Sequence, residues 1–118
     1  MSTQLHSNGR TRWNGTNAFY PDGTVAWDGS RAFHPNRRTA WNGRNAFYPD
    51  GTTAWDGSRA FHPNRRTAWN GTVAFHDNGA ALGSASVSIE LQLSDNIRLA
   101  VGTSGMTLYI YGIPVVRD

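Results

Sequence analysis

The side chains best suited to catalysis or metal binding are histidines and aspartates that recur at regular spacing. They are His34, His62, His76, Asp22, Asp28, Asp50 and Asp56. Imidazole and carboxylate groups act as general bases when they converge on one place. Here each of them lies in or beside a predicted turn, where Asp is expected for backbone reasons. The sequence therefore predicts a protein that is not an enzyme and needs no cofactor.

A metal site within one chain is also not predicted. His34 and His62 hold equivalent positions two repeat units apart. In a stack of strands about 4.8 Å apart, they are separated by about 19 Å, too far to share one ion. The chain has no cysteine, which excludes a disulfide framework and Cys-ligated zinc.

Arginine supplies all 11 basic residues, and the net charge is only +3. Two copies of one arginine cluster recur along the chain and are candidate ligand-binding residues. They are Arg31, Arg37, Arg38, Arg59, Arg65 and Arg66. Guanidinium groups stack on aromatic rings and pair with carboxylates or phosphates. Because aspartates recur almost as often, no strong field of one sign results, and we favour arginines that cover rings by cation–π contact over arginines that bind nucleic acid.

The tryptophans recur at every fourteenth position and are the other candidate ligand-binding residues. They are Trp13, Trp27, Trp41, Trp55 and Trp69. Exposed indole rings at regular spacing would stack on sugar rings. Aliphatic side chains are nearly absent before residue 80, however, so the same rings must also supply the core, and burial is expected for most of them.

The tryptophans belong to five repeat units that span residues 13–82. In each unit a Gly follows Trp by two residues, and an Ala-Phe pair follows shortly afterwards. Residues 27–40 and 55–68 are identical, and residues 13–26 and 41–54 differ at two positions. The larger unit is therefore a 28-residue repeat made of two different halves. We divide the chain into a lead-in (1–12), the repeats (13–82) and a C-terminal segment (83–118).

Turn residues exclude helices in the repeats and predict an all-β fold. Asn-Gly or Asp-Gly follows each Trp, which suits a two-residue type I′ turn. Tyr20-Pro21-Asp22-Gly23-Thr24 suits a three-residue loop with Gly in the left-handed position, and His34-Pro35-Asn36-Arg37-Arg38 is the same loop without that Gly. Two turns per unit predict tandem 14-residue β-hairpin repeats of about ten strands, arranged as an antiparallel strip or a flattened β-solenoid.

The face occupied by the rings depends on the turns. Two three-residue loops per unit would keep Trp and Phe together on one face. One even and one odd loop would move Trp to the other face in every unit, and the 28-residue repeat favours this second arrangement.

The C-terminal segment changes to aliphatic strands. Val87, Ile89, Leu91 and Leu93 alternate with polar residues and form one apolar face. Residues 97–101 and 106–111 predict a hairpin, and Pro114 begins an edge strand. These strands suit either a β cap that closes the open end of the array or an oligomer interface, for which the four alternating residues are the candidates. The edge at the N-terminal end also invites pairing with another copy.

Trp41-Asn42-Gly43 and Tyr48-Pro49-Asp50-Gly51-Thr52 resemble MORN-type repeats, over residues 13–82. The resemblance implies an elongated stack of aromatic-rich hairpins that acts as a scaffold for proteins or lipids. The longer period and the Gly-x-Gly of that family are absent here, so only the hairpin-stack architecture is carried over and no binding residue.

These patterns predict a non-enzymatic repeat scaffold or interaction module that self-associates as a homo-oligomer. The alternative is a multivalent glycan-binding protein, and nucleic-acid binding through Arg and Trp is a third hypothesis. The start of the sequence contains no apolar stretch typical of a signal peptide, and no apolar run approaches a membrane span. We therefore expect no membrane insertion, and a cytoplasmic location is favoured.

Overall fold

The computed structural model describes residues 3–82, 88–102 and 105–117, which form two antiparallel β-sheets. No helix in these ranges is long and apolar enough to cross a membrane. The ten-stranded repeat sheet runs in chain order through β1 (Gln4–Leu5), β2 (Thr11–Trp13), β3 (Ala18–Phe19), β4 (Val25–Trp27), β5 (Ala32–Phe33), β6 (Thr39–Trp41), β7 (Ala46–Phe47), β8 (Thr53–Trp55), β9 (Ala60–Phe61) and β10 (Thr67–Trp69). The second sheet contains β11 (Ser88–Ser94), β12 (Ile97–Gly102), β13 (Gly105–Ile110) and β14 (Ile113–Arg117).

This architecture confirms the all-β fold of tandem hairpin repeats. Of the two predicted arrangements, it is the antiparallel strip and not the flattened solenoid. Each strand from β2 to β9 pairs with the strand before it and the strand after it in the chain, so the sheet is an antiparallel strip. The longest dimension of the molecule is 44 Å, which agrees with ten strands spaced by about 4.8 Å.

The turn after each Trp differs from the predicted type I′ turn. Only its Gly has a positive φ, as at Gly29 (102°), and Asp28 stands before the two central residues. The Asp28 carboxylate accepts hydrogen bonds from the backbone N–H groups of Ser30 and Arg31, at 2.9 and 2.8 Å. The side chain thus closes the turn, and one left-handed residue suffices.

The second turn has the predicted three-residue loop. The backbone N–H of Tyr20 donates to the carbonyl of Thr24 at 2.8 Å, and that of Gly23 donates to the carbonyl of Tyr20 at 2.9 Å. Gly23 has a φ of 91°, the left-handed position expected for it. The same two bonds close the loop from His34 to Arg38, where Arg37 takes the place of Gly.

All five tryptophans lie on one face of the repeat sheet, so the predicted alternation between faces is wrong. Trp27 is opposite both Ala18 and Ala32 across its two neighbouring strands. Phe19 is opposite Val25, which leaves Ala26 without a partner as a β-bulge. Because this extra residue recurs in each of the first four units, it compensates for the odd loop and returns Trp to the same side.

The Trp face is the core of the molecule. Trp27, Trp41, Trp55 and Trp69 are buried, and the alanines beside them are completely buried. Small alanine side chains leave room for the indole rings, which supply the apolar area that aliphatic residues usually provide. The phenylalanines are half-buried on the opposite face, called here the Phe face.

The second sheet covers the Trp face. Its inward residues, which include Leu91, Leu93 and Leu99, are buried in one cluster with the tryptophans. At one end of the strip, the Tyr111 ring lies 5.1 Å from the ring of His6. Near the middle, Val116 lines a cleft together with Trp41 and Trp55. The segment is therefore a cap, but it lies along the face of the array instead of across its end.

The segment before the first Trp also belongs to the array. We expected a lead-in over residues 1–12, but β1 pairs with β2, with Gln4 opposite Trp13. Residues 6–10 form a loop with the same closing bonds as the later loops. The sheet edge at the N-terminal end is therefore β1.

Replacing a buried indole should cost far more stability than replacing a phenyl ring on the Phe face. We expect Trp41→Ala to lower the free energy of unfolding by about 3–5 kcal/mol, since it leaves a cavity between the sheets. Phe47→Ala, on the next strand and half-buried, should cost roughly 1–2 kcal/mol. Urea unfolding of the two variants measures the difference, and equal losses would contradict the assignment of the two faces.

Candidate binding surface

The histidine and tyrosine rings join each unit to the next one. In five successive units, the ring donates a hydrogen bond to the Phe carbonyl of the following unit. The pairs are His6–Phe19 (2.7 Å), Tyr20–Phe33 (2.5 Å), His34–Phe47 (2.7 Å), Tyr48–Phe61 (2.6 Å) and His62–Phe75 (2.7 Å). The donor is Nε2–H in His and the phenol in Tyr. These histidines are therefore structural, and their rings do not converge on a reaction site.

His34 is the most enclosed of the rings, with 1% of its surface exposed. Its Nδ1 atom is buried and has no hydrogen-bond partner within the described residues. Burial lowers the pKa of His34, since the charged imidazolium would lose its hydration. Burial likewise raises the pKa of Tyr20 and Tyr48 far above the ordinary value. His34, Tyr20 and Tyr48 are therefore neutral donors near neutral pH in the folded protein.

The aspartates are committed to their turns. The Asp22 carboxylate accepts from the hydroxyl of Thr24 at 2.7 Å and from its backbone N–H at 2.9 Å. These two bonds lower the pKa of Asp22, with a smaller contribution from the charge of Arg37. The pKa of Asp28 is lowered by the backbone N–H groups of Ser30 and Arg31. Among the described residues, no group of three or more His, Cys, Asp or Glu could hold a metal ion.

Every second loop holds the loop that follows it. We call residues 6–10, 34–38 and 62–66 clamp loops. In the second of them, the Asn36 amide donates to the carbonyl of Pro49 at 3.0 Å, and Arg38 Nη1 donates to the carbonyl of Asp50 at 3.1 Å. The other two clamp loops make the same pair of bonds. Arg38 and Arg66 are thus structural donors to carbonyl groups.

A side chain in place of the receiving-loop glycines would crowd the clamp arginine. A Cβ atom on Gly23 would lie 2.9 Å from Arg10 Nη1, and one on Gly51 would lie 3.3 Å from Arg38 Nη1. The equivalent Gly9 lies in a clamp loop, and a Cβ there would meet nothing within 4 Å. A side chain at this position therefore has open space in a clamp loop, whereas in a receiving loop it would have to displace the guanidinium.

Arg37 and Arg65 use that freedom at a conformational cost. Their φ values are 72° and 74°, in the left-handed region that favours glycine. This backbone conformation costs a residue with a side chain roughly 1 kcal/mol relative to glycine. Both arginines are exposed. The array keeps them although a glycine would fit better.

Each of these two arginines borders a shallow depression on the Phe face. The first depression has a volume of about 450 Å³ and is lined by Gly23, Thr24, Val25, Asp28, Phe33 and Arg37. The second has a volume of about 330 Å³ and is lined by Gly51, Thr52, Thr53, Phe61 and Arg65. The two linings correspond residue by residue one 28-residue repeat apart, except that Thr53 replaces Val25 and the second lacks an Asp. Each offers a phenyl ring, a hydroxyl group and a guanidinium.

The structure separates the candidate residues into different environments. Four tryptophans are buried and Trp13 is half-buried, so little of these rings is open to a ligand; Trp41 and Trp55 reach the surface at the cleft beside Val116. Arg31 and Arg59 are exposed beside the Trp turns. The cation–π contacts in the described chain involve Arg12 and Arg98 instead of the six candidate arginines.

The candidate oligomer residues are mostly internal. Leu91 and Leu93 are buried against the repeat sheet of the same chain, and Ile89 is half-buried. Val87 lies outside the described residues. Sequence reasoning also missed the asparagines and Arg10 of the clamp loops. The recurrence of His-x-Asn-x-Arg at residues 6, 34 and 62 was the signal for them.

Burial of neutral His34 should make stability depend on pH. The folded pKa is below the unfolded value of about 6.5, so the unfolded state binds a proton first as the pH falls. We expect the free energy of unfolding to decrease below about pH 6.5, to level off below the folded pKa, and to be unaffected by this residue above about pH 7.

The matched variant is His34→Tyr, because Tyr20 and Tyr48 make the same bond from the equivalent position. Urea unfolding between about pH 5 and 8 should show a smaller acid loss for the variant than for the parent. The aspartates contribute equally in both proteins. Parallel curves for the two proteins would show that His34 is not buried as a neutral ring.

Glycine in place of the left-handed arginines should stabilise the fold. We expect Arg37→Gly to raise the free energy of unfolding by about 1 kcal/mol, since the backbone strain is relieved. Gly23→Arg, the reverse change in a receiving loop, should destabilise by more, because the side chain would also displace Arg10. Thermal unfolding of both variants tests this, and a less stable Arg37→Gly protein would refute the strain.

Comparison of the chain with protein-family models, with curated proteins and with solved structures finds no match.

Proposed function

We propose that the chain is a non-enzymatic repeat scaffold that self-associates through the ends of its ten-stranded sheet. The observation that carries this proposal is that the Trp face is covered by the chain's own second sheet, while β1 at one end of the array and residues 81–82 at the other have no strand paired to their outer side within the described residues. Unpaired backbone N–H and C=O groups on such an edge are a template for another strand.

The chemistry of the side chains supports a role other than catalysis. The histidine rings from His6 to His62 donate to carbonyl groups, and the Asp carboxylates accept bonds within their own turns. Groups already engaged in this way have no geometry that would place a nucleophile beside a base. What the repeat offers to partners is regular spacing, two edges and the Phe face.

Self-association is tested by measuring the solution mass over a wide range of concentrations. Edges of two or three residues make small interfaces, so we expect association that grows from about 10 μM to about 1 mM. Light scattering should give a mass above the 13.0 kDa of one chain. A mass of one chain throughout this range would reject the proposal.

The second candidate function is multivalent glycan binding, and the two depressions on the Phe face favour it. A phenyl ring can stack on the C–H face of a sugar, while a guanidinium and a hydroxyl bind its oxygens. Nucleic-acid binding has less support, because Asp22 and Asp28 lie close to Arg37, Asp50 lies close to Arg65, and these carboxylates weaken the positive field.

Paired variants distinguish the two ligand hypotheses. Signal on a glycan array should be lost when Phe33 and Phe61 are changed to Ala and kept in Phe47→Ala, whose ring does not line either depression. Binding to oligonucleotides that falls steeply with salt, and is lost on replacing Arg37 and Arg65 by Gly, would favour nucleic acid instead. Absence of both signals would leave the depressions without a ligand role.

A further inference from the structure

The last ring of the series has no unit to bind. The rings from His6 to His62 each donate to the carbonyl of the next unit, but His76 is exposed and makes no such bond within the described residues. In the same loop, the Asn78 amide nitrogen is also without a partner there, although its oxygen accepts from the N–H of Ala80. One end of the sheet therefore carries unused donors.

The opposite end carries the matching acceptors. Leu5 occupies the Phe position of the repeat, so its carbonyl is the equivalent of the Phe carbonyls that accept from the preceding unit. Ser7 likewise stands where Pro21 and Pro49 accept from clamp asparagines. Leu5 is 56% exposed, whereas the phenylalanines at this position are half-buried. Within the described residues, no unit pairs with the outer side of β1.

The two ends also agree in register. Ala74 pairs with Trp69 and Ala81 pairs with Phe75, so residues 81–82 form the outer edge of the array, at the position of Thr67 and Ala68 one unit earlier. Counted forward by six whole repeat units, Leu5 falls at position 89 of the repeat pattern. Residues 81–82 and β1 of an added copy therefore have the same spacing in that pattern as two neighbouring strands inside the array. Six units are three whole 28-residue repeats. The alternation of loops would thus continue without interruption from one copy into the next.

The final loop departs from its equivalents in a way that suits this contact. Residues 22 and 50 are Asp, whereas residue 78 is Asn, and residues 20 and 48 are Tyr, whereas residue 76 is His. The change gives the last loop the same His and Asn pair that donates from each clamp loop. A carboxylate at residue 78 would have no hydrogen atom to donate to a carbonyl of the next copy.

We infer that a second copy of the chain adds end to end, with its β1 edge beside residues 81–82 of the first copy. His76 donates to the carbonyl of Leu5 and Asn78 to that of Ser7 in the added copy. This contact joins two different surfaces, so it is heterologous and builds open rods of stacked copies. Pairing of two β1 edges would bring acceptors against acceptors. The inference rests on the proposed self-association and specifies its geometry.

Cysteine cross-linking tests this geometry in a chain that has no natural cysteine. In the proposed contact, Leu82 of one copy takes the repeat position of Ala26, and Leu5 of the next copy takes that of Phe33. Ala26 and Phe33 lie next to the paired residues Trp27 and Ala32 on neighbouring strands. Cross-strand neighbours are within disulfide reach. We expect a disulfide between Leu5→Cys and Leu82→Cys proteins when they are mixed and oxidised, and none in either protein alone.

The other outcomes separate this inference from the proposed function. A disulfide in Leu5→Cys alone would establish symmetric edge pairing and overturn the end-to-end geometry, while self-association would stand. Association of the parent without any mixed disulfide, with both variants folded by far-ultraviolet circular dichroism, would also overturn the geometry. Absence of association in the parent would overturn both.

Side-chain variants test the proposed donors. We expect His76→Phe and Asn78→Asp each to weaken association by roughly tenfold, the effect of one lost hydrogen bond. His76→Tyr keeps a donor and should stay within about threefold of the parent. Asp50→Asn, the reverse exchange at the equivalent position inside the array, should have no effect on association. Sedimentation at several concentrations gives these values, and equal association in all four variants would refute the assigned contacts.

Discussion

One unpaired alanine in each of the first four units determines what the rest of the molecule can do. The bulge at Ala26 and its equivalents restores the parity that the three-residue loop would otherwise change. All the indole rings therefore lie on one side of the strip. A single apolar face can be covered by a single second sheet, whereas alternating rings would leave apolar patches on both faces. The bulge thus makes a two-sheet core possible in a chain with few aliphatic residues.

Much of this fold could be predicted from turn chemistry, and the remainder depended on pairing. The three-residue loop at Tyr20–Thr24, the ten strands and the C-terminal hairpin followed from local residue types. The side of the sheet on which Trp27 lies did not, because a bulge has no signal within one strand and appears only as a shift between partners. The position of Tyr111 against His6 and Tyr20 also required three dimensions, since nothing in sequence relates those residues. For the candidate surface, the arginines were identified, but their division into clamps and exposed side chains was not.

Arg37 and Arg65 keep a left-handed backbone conformation that lowers the stability of the fold. Gly9 shows that a clamp loop accepts glycine at this position, yet Arg37 and Arg65 occupy it in both central copies. Backbone strain at a place where the strain-free residue is readily available indicates that the side chain serves something other than folding. Their shared position beside Phe33 and Phe61 places that other role on the Phe face.

The 28-residue repeat has a physical cause in the alternation of loops. A clamp loop donates through Asn and Arg, and the next loop must hold Gly beneath the guanidinium and present its carbonyls. One loop does not combine both roles. The donor position holds Arg38 in a clamp loop and Thr52 in a receiving loop. The left-handed residue has open space in a clamp loop, whereas in a receiving loop it lies against the arginine of the clamp loop before it. Units of one kind would lose either the donors or the space for them. Two kinds in strict alternation satisfy both, so the unit that repeats faithfully is the pair.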